Sequence, residues 1–297
     1  MKYPSLLLLA FTLLALFLTL SACSSIEVGE DQLFQNKPSV TPASFDQQGV
    51  TLNETTVRGA GGVRLNAWHL TQPEAQGTLL YFGGNGFFLV HSKGYIEAMT
   101  DFPVNLFLVD YRGYGKSAGT PSVEALRRDA TAVFDYVVDS TEARPQTTVL
   151  HGHSMGTFMT ARVAQKREAA GVILQNPATT AEEWTDSLTP WYLELFLRLE
   201  PSAALTGVSN VEQMRDITEP LLVIGGAQDN ITAPQMARRL YGAAPEGQKR
   251  LAVIDSVGHN IPYDNARYRC VVSGFLERVL PGPFVGAKAT QRGDPGK

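Results

Sequence analysis

Three residue types, each following a short apolar run, could together perform nucleophilic chemistry: a serine, a histidine and an aspartate. Gly152-His153-Ser154-Met155-Gly156 stands between a β-branched apolar run at 147–150 and a stretch with no Gly or Pro after Gly156, which reads as helix. A serine between small residues at a strand-to-helix junction is a nucleophile elbow. The turn lifts the hydroxyl out of the sheet and sets the Met155 N–H at a helix start, where negative charge is stabilised. A neutral hydroxyl is a weak nucleophile, so it needs a base that titrates near neutrality and an acid to orient that base. The chain has five histidines. His69 is mid-strand and His91 falls on a helix surface. His151 and His153 flank the elbow too closely to turn onto Ser154. His259 follows a strand and a glycine, in a loop free to reach inward. Asp229 closes the strand that ends in Gly225-Gly226-Ala227-Gln228. Asp255 is the competing acid, but it lies on the same strand end as His259 and is badly placed to meet the ring.

A tetrahedral oxyanion would need two donors. Met155 N–H is one, and the second is expected from Gly83-Gly84-Asn85-Gly86, which follows another apolar run. Asn85 is the first choice and Gly86 the second, the glycines allowing close backbone approach.

The pentapeptide alone is weak evidence, because Gly115-Lys116-Ser117-Ala118-Gly119 has the same spacing. Ser117 follows a loop and precedes Gly119-Thr120-Pro121, so no helix starts after it. The same segment is no P-loop, since Asp110 stands where that pattern requires glycine. His151 and His153 lack a third ligand at metal spacing, and no dinucleotide fingerprint is present, so neither metal nor organic cofactor is expected. The chain has two cysteines and no Cys-x-x-Cys, 44% hydrophobic residues and a formal net charge of −4 with no basic block. Nucleic acid is therefore not an expected partner, and a monomer is expected.

The elements that must position these residues alternate in type. Strands are expected at 49–58 and 63–71, forming a hairpin around Gly59-Ala60-Gly61-Gly62, and at 77–82, 104–109, 147–150, 171–174, 220–224 and 250–254. Between them lie helical stretches ending near Thr100, opening after Ser122 and after Met155, opening at a Thr232-Ala233-Pro234-Gln235 capping box, and spanning 263–280. Leu126, Ala130, Val133 and Val137 give the helix after Ser122 an inward face, with Glu124 in its first turn. An insert at about 177–219 interrupts the rhythm with Trp184, Leu188, Trp191, Tyr192, Leu195, Phe196 and Leu199, as a helical cap would. Alternating strands and helices imply an α/β fold with a mostly parallel sheet covered on both faces, whose sites lie at the carboxyl ends of strands.

The first 22 residues read as a targeting segment: one lysine, then a 15-residue apolar run from Leu6 to Leu20, shorter than a membrane-spanning helix. Leu20-Ser21-Ala22-Cys23 resembles the bacterial lipoprotein signal. That resemblance implies a lipidated Cys23, anchorage at the cell envelope and, with Ser24 following, the outer membrane. Residues 23–48 read as a polar tether and 281–297 as a disordered tail. Cys270 is expected as a small buried hydrophobe on a helix face.

The chain resembles α/β-hydrolase-fold serine hydrolases of the monoacylglycerol-lipase and serine-aminopeptidase-like superfamily. The resemblance rests on Gly-His-Ser-Met-Gly and on the chain order Ser154, Asp229, His259. It rests also on Tyr81-Phe82-Gly83-Gly84-Asn85-Gly86 and Asp110-Tyr111-Arg112-Gly113-Tyr114-Gly115-Lys116-Ser117. One departure stands out: Gly83 replaces a histidine usual in the family. The resemblance covers roughly Thr78 to Leu280 and implies an eight-stranded sheet with one antiparallel strand; the element pattern sets the domain at 49–280. A small acyl substrate cleaved through an acyl-enzyme is expected, an ester or thioester being favoured because the insert is apolar and the leaving group easy. A peptidase of the same fold and a non-catalytic envelope-binding lipoprotein are the alternatives.

Overall fold

The computed structural model describes residues 39–180, 182–184 and 207–282. The leader, Cys23, the insert's positions from Leu188 to Leu199 and the tail beyond Gly282 lie outside the described residues.

Eight strands form one sheet: β1 (Thr51–Arg58), β2 (Arg64–Thr71), β3 (Gly77–Phe82), β4 (Val104–Val109), β5 (Thr148–His153), β6 (Gly171–Gln175), β7 (Leu221–Gly226) and β8 (Lys249–Ile254). Their order is β1-β2-β4-β3-β5-β6-β7-β8. Only β2 runs against its neighbours; β4, β3, β5, β6, β7 and β8 are mutually parallel. This is the eight-stranded sheet with one antiparallel strand that the resemblance implied. The central strands are near-continuous apolar runs because both faces are covered, and the two-residue period sorts each run into two layers. Leu80, Phe82, Leu150, Leu174 and Val223 face a core shared with α2 (Val123–Ser140) and α3 (Gly156–Lys166). Leu79, Tyr81, Val149, Ile173 and Leu222 face the other way. There they meet α1 (Lys93–Met99) and α6 (Ala266–Val279). A short α4 (Asn210–Met214) and α5 (Pro234–Ala243) complete the described helices of more than one turn.

The helix after Ser122 forms as expected. The Ser122 side chain accepts from Ala125 N, Glu124 sits in the first turn, and Leu126, Ala130, Val133 and Val137 are buried.

Five expectations are corrected. Residues 39–48 are not free tether: Val40 is 4% exposed, and Ser39 N and Val40 N both donate to Val90 O. A Thr41–Ser44 capping box then starts a short 3-10 turn. The segment is polar in composition, but Val40 is buried in the core and Phe45 packs against it. The last helix begins at Ala266 and not 263, because the Asn265 side chain caps it by accepting from Arg267 N and Tyr268 N. Tyr263 instead places its ring edge-on to Tyr95. Cys270 is on that helix but exposed, on the face turned from Tyr268, Val271 and Val272. His91 closes a 3-10 turn, Leu89–His91, and lines the cavity described below. Thr232 does not cap α5; Ala233 occupies the N-cap with no side-chain bond.

Candidate active site

Parallel pairing brings the carboxyl ends of β3, β5, β7 and β8 to one edge, so Gly83, Ser154, Asp229 and His259 meet although 105 residues separate Ser154 from His259. At the end of β5, Ser154 adopts φ 52°, a left-handed conformation that a non-glycine residue holds only under constraint. Its N–H donates to Gln175 O at 2.9 Å, and α3 starts two residues later. The strain falls on the serine itself. The flanking glycines are there for space: a Cβ on Gly156 would land on Phe82 O, and one on Gly152 would land on Thr160 Oγ1.

The structure brings the three expected side chains together. Ser154 Oγ lies 2.9 Å from His259 Nε2, and His259 Nδ1 lies 2.9 Å from Asp229 Oδ2. Asp255 is exposed in the turn after β8 and makes no such contact. Burial pushes the Asp229 carboxyl up, but the His259 ring and the Thr232 and Ile231 amides outweigh it, and the net displacement is downward. A carboxylate that stays ionised selects the tautomer with the proton on Nδ1, leaving the Nε2 lone pair directed at Ser154 Oγ.

His153 and His151 have separate tasks. His153 Nε2 is 3.2 Å from His259 O, so it props the base loop through the backbone, and desolvation lowers its pKa to about 4. His151 is fully buried between Tyr95 Oη at 3.0 Å and Gln175 Oε1 at 3.2 Å, and burial lowers its pKa to about 3. Both are neutral framework groups near pH 7.

The Asp110-to-Ser117 motif holds the loop after β3. Asp110 Oδ1 accepts from Leu89 N at 2.9 Å, Tyr111 Oη donates to Gly83 O at 2.7 Å, and Tyr114 Oη donates to Asn85 Oδ1 at 3.1 Å. Arg112 binds Asp129 of α2 through two nitrogens, tying the same motif to the helix layer. Ser117 is consumed in this frame: its hydroxyl donates to Asp110 O at 2.7 Å and accepts from Asn66 N at 2.8 Å. The departure at Gly83 has a steric reason, since a Cβ there would run into the Phe87 ring. Phe87 fills the space that a side chain at 83 would need.

The loop itself turns between Gly84 and Phe87, closed by Phe87 N donating to Gly84 O at 3.1 Å, with Gly86 at φ 77°. Gly84 packs against the Ser154 side chain; a Cβ on it would stand 3.4 Å from Ser154 Cβ. Among the described residues, no protein acceptor takes the N–H of Met155 or of Asn85. A cavity of about 520 Å³ opens over Ser154 and His259. Phe87, Phe88, Trp184 and Tyr263 supply apolar wall, and no aspartate or glutamate lines it among the described residues.

The family model described as serine aminopeptidase, S33, matches residues 74–210 and 203–266. The chain belongs to that hydrolase family. An uncharacterized protein of Mycobacterium tuberculosis is 30% identical over 228 residues, 75% of each chain. Protein bem46 of Schizosaccharomyces pombe is 27% identical over 293 residues, 93% of each. Among solved structures, the Pyrococcus furiosus esterase Pf2001 matches with a TM-score of 0.64 at 20% identity, covering 82% of this chain and 94% of that one. These likenesses and the sheet order make this an α/β-hydrolase fold.

Two contributors to the site were invisible in the sequence of this S33-family chain. Thr232 reads there as a helix cap, and Asn176 belongs to none of the motifs. Both sit within the Asp229–His259 region. A threonine two residues before a proline was the one available signal, and it pointed to the wrong partner.

Proposed function

We propose that the chain is a serine hydrolase that cleaves an acyl ester or thioester through an acyl-enzyme. The observation that carries this reading is the continuous Ser154–His259–Asp229 contact, at 2.9 Å on both sides of the imidazole. Ser154 Oγ attacks the acyl carbon as its proton passes to His259 Nε2; His259 then returns that proton to the leaving alcohol or thiol. Water, deprotonated by the same nitrogen, attacks the acyl-enzyme and frees the acid. Asp229 holds the imidazole and offsets its charge while it is protonated. The N–H groups of Met155 and Asn85 receive the oxyanion, Met155 with the help of the α3 dipole. Gly86 is the weaker choice, because Gly84, directly before Asn85, is the residue that touches Ser154.

The family description favours a second reading, an aminopeptidase. Such an enzyme must hold a free ammonium next to the scissile bond, and a desolvated ammonium requires a paired carboxylate. The aromatic content of the described cavity wall suits an uncharged acyl group. Incubating the full-length protein with a fluorophosphonate, a panel of acyl esters and thioesters, and aminoacyl amides decides between them. Ester turnover at least about 10²-fold above amide turnover is expected, a margin of some 2.7 kcal/mol in barrier. Preferential amide turnover moves the reading to a peptidase, and neither labelling nor turnover leaves the non-catalytic lipoprotein.

The same proposal places the domain at the cell envelope through acyl chains on Cys23, in the outer membrane where two membranes exist. No described helix is long and apolar enough to cross a membrane, and multiple acyl chains on one residue suffice for stable anchorage. Cys23→Ser is expected to move the protein from the membrane fraction to the soluble fraction. Retention of the variant in membranes, resistant to carbonate washing, overturns the lipid anchor.

A further inference from the structure

Thr232 has left the role its sequence context assigns it. It is 2% exposed and its hydroxyl sits over the contact between acid and base. It lies 2.8 Å from Asp229 Oδ2, 2.9 Å from Asn176 O and 3.1 Å from His259 Nδ1. The Thr232 N–H donates to the other carboxylate oxygen, Oδ1, at 2.9 Å. One residue therefore grips both oxygens of Asp229. Its single hydroxyl proton has two acceptors, the carboxylate and the Asn176 carbonyl, while the hydroxyl lone pairs face His259 Nδ1.

Asn176 supplies the frame for that grip. It follows β6 at φ 44°, a left-handed conformation that asparagine tolerates better than most side chains, and it is fully buried. Its Oδ1 accepts from Gly226 N at 2.8 Å, at the end of the strand that leads to Asp229. Its Nδ2 donates to His259 O, the carbonyl that His153 Nε2 also approaches at 3.2 Å. Through its backbone it anchors Thr232 and through its amide it anchors His259, so the acid loop and the base loop are referenced to one residue.

We propose that Thr232 is a positioning residue for the base, holding Asp229 and the Nδ1–H tautomer of His259 in register, with Asn176 as the bridge that sets Thr232 and His259 relative to each other. The proposal rests on the reading of His259 as the base of a serine hydrolase. The ring of His259 is faced by Asp229, Thr232, Ser154 and His153, and by no other titratable side chain in hydrogen-bonding contact among the described residues.

The test uses full-length protein with Thr232→Val, which keeps the shape and loses the hydroxyl, and Thr232→Ser, which restores the hydroxyl. With the best ester of the panel, Thr232→Val is expected to lower kcat about 10-fold with KM within about 2-fold, as loss of one hydrogen bond to a charged group implies. Thr232→Ser is expected to recover kcat to within about 3-fold. In parallel, ¹⁵N-histidine NMR, assigned with His259→Gln, follows the His259 Nδ1 proton. That signal is expected to be sharp in the parent and in Thr232→Ser and to broaden through solvent exchange in Thr232→Val. An unchanged kcat and an unchanged Nδ1 signal in Thr232→Val overturn the proposal, as does a Thr232→Ser variant as impaired as Thr232→Val. If the parent hydrolyses nothing but the Nδ1 signal still depends on the hydroxyl, the positioning role stands and the hydrolase reading fails.

Discussion

Ser154→Ala is expected to lower ester turnover by roughly 10⁴- to 10⁶-fold and to remove fluorophosphonate labelling, while Ser117→Ala keeps both close to the parent. The two serines carry the same Gly-x-Ser-x-Gly spacing, so the pair separates motif from geometry within one chain. Ser154 Oγ is 2.9 Å from the only histidine nitrogen that a buried carboxylate backs from the other side, among the described residues. Ser117 Oγ is already bonded to Asp110 O and to Asn66 N and faces no base. The predicted phenotypes are therefore opposite in kind. Losing the Ser117 hydroxyl leaves a half-buried carbonyl and amide without that partner and is expected to cost about 1 kcal/mol of stability, read as a lower melting temperature. Losing the Ser154 hydroxyl removes the atom that forms the acyl bond and leaves the sheet intact. Residual catalysis in Ser154→Ala would come from the oxyanion donors and binding alone. Labelling that persists in Ser154→Ala but disappears in Ser117→Ala would overturn the assignment.

Mild acid is expected to destabilise this protein through His151 and His153. Burial depresses the pKa of His151 from its ordinary 6.5 to about 3 and desolvation depresses that of His153 to about 4. A histidine whose folded pKa lies below its unfolded value binds fewer protons when folded. Its contribution is full above pH 6.5 and is lost as the pH falls toward the folded pKa, at about 1.4 kcal/mol per pH unit. Between pH 7 and pH 4.5, His151 alone is expected to remove about 2–3 kcal/mol. His153 works in the same direction; its ring is only half-buried, so its share is smaller. Asp110 works against both: burial raises its pKa, which favours the folded state below the ordinary carboxylate range and not above it. The depressed Asp229 carboxyl adds its own loss only below pH 3.8. Against a total stability of about 5–15 kcal/mol, the histidine effect is large. Urea titrations at pH 7 and 4.5 should show the midpoint falling, and His151→Gln should flatten that fall. A midpoint independent of pH over this range would show that His151 is not held neutral by burial.

Much of the fold was legible because its signals are local. A central parallel strand must be apolar on both faces, so runs such as Leu79-Leu80-Tyr81-Phe82 and Leu221-Leu222-Val223-Ile224 mark strands without further context. The Ser122 cap and the inward face of α2 follow from three- and four-residue spacing. Two departures share one cause: the deciding partner lies far along the chain. Val40 is buried against a turn about fifty residues away, and Tyr263 leaves its helix to meet Tyr95. Cys270 stands on the face of α6 opposite its single buried face, and an error in helical phase reverses its exposure.

The candidate site divides in the same way. Sequence alone determined which atoms could do the chemistry: a serine at a strand-to-helix turn, an acid and a histidine after later strands, and a glycine-rich loop after an earlier one. Residue type and short-range spacing are sufficient for that, because chemical capacity belongs to the side chain and a strand end is a local event. Sequence context already favoured Ser154 over Ser117 and Asp229 over Asp255; the tertiary structure supplied the contacts, with Ser154 Oγ and Asp229 Oδ2 each 2.9 Å from the His259 ring. It also tied the Asp110–Ser117 motif to the loop after β3, and turned Thr232 from a helix cap onto Asp229 and His259. Those outcomes depend on the sheet order, which sets β3, β5, β6, β7 and β8 side by side and aligns their carboxyl ends within hydrogen-bonding reach. A hydrogen bond is decided within a few tenths of an ångström, and residues 105 positions apart acquire that precision only when the strands beneath them are paired.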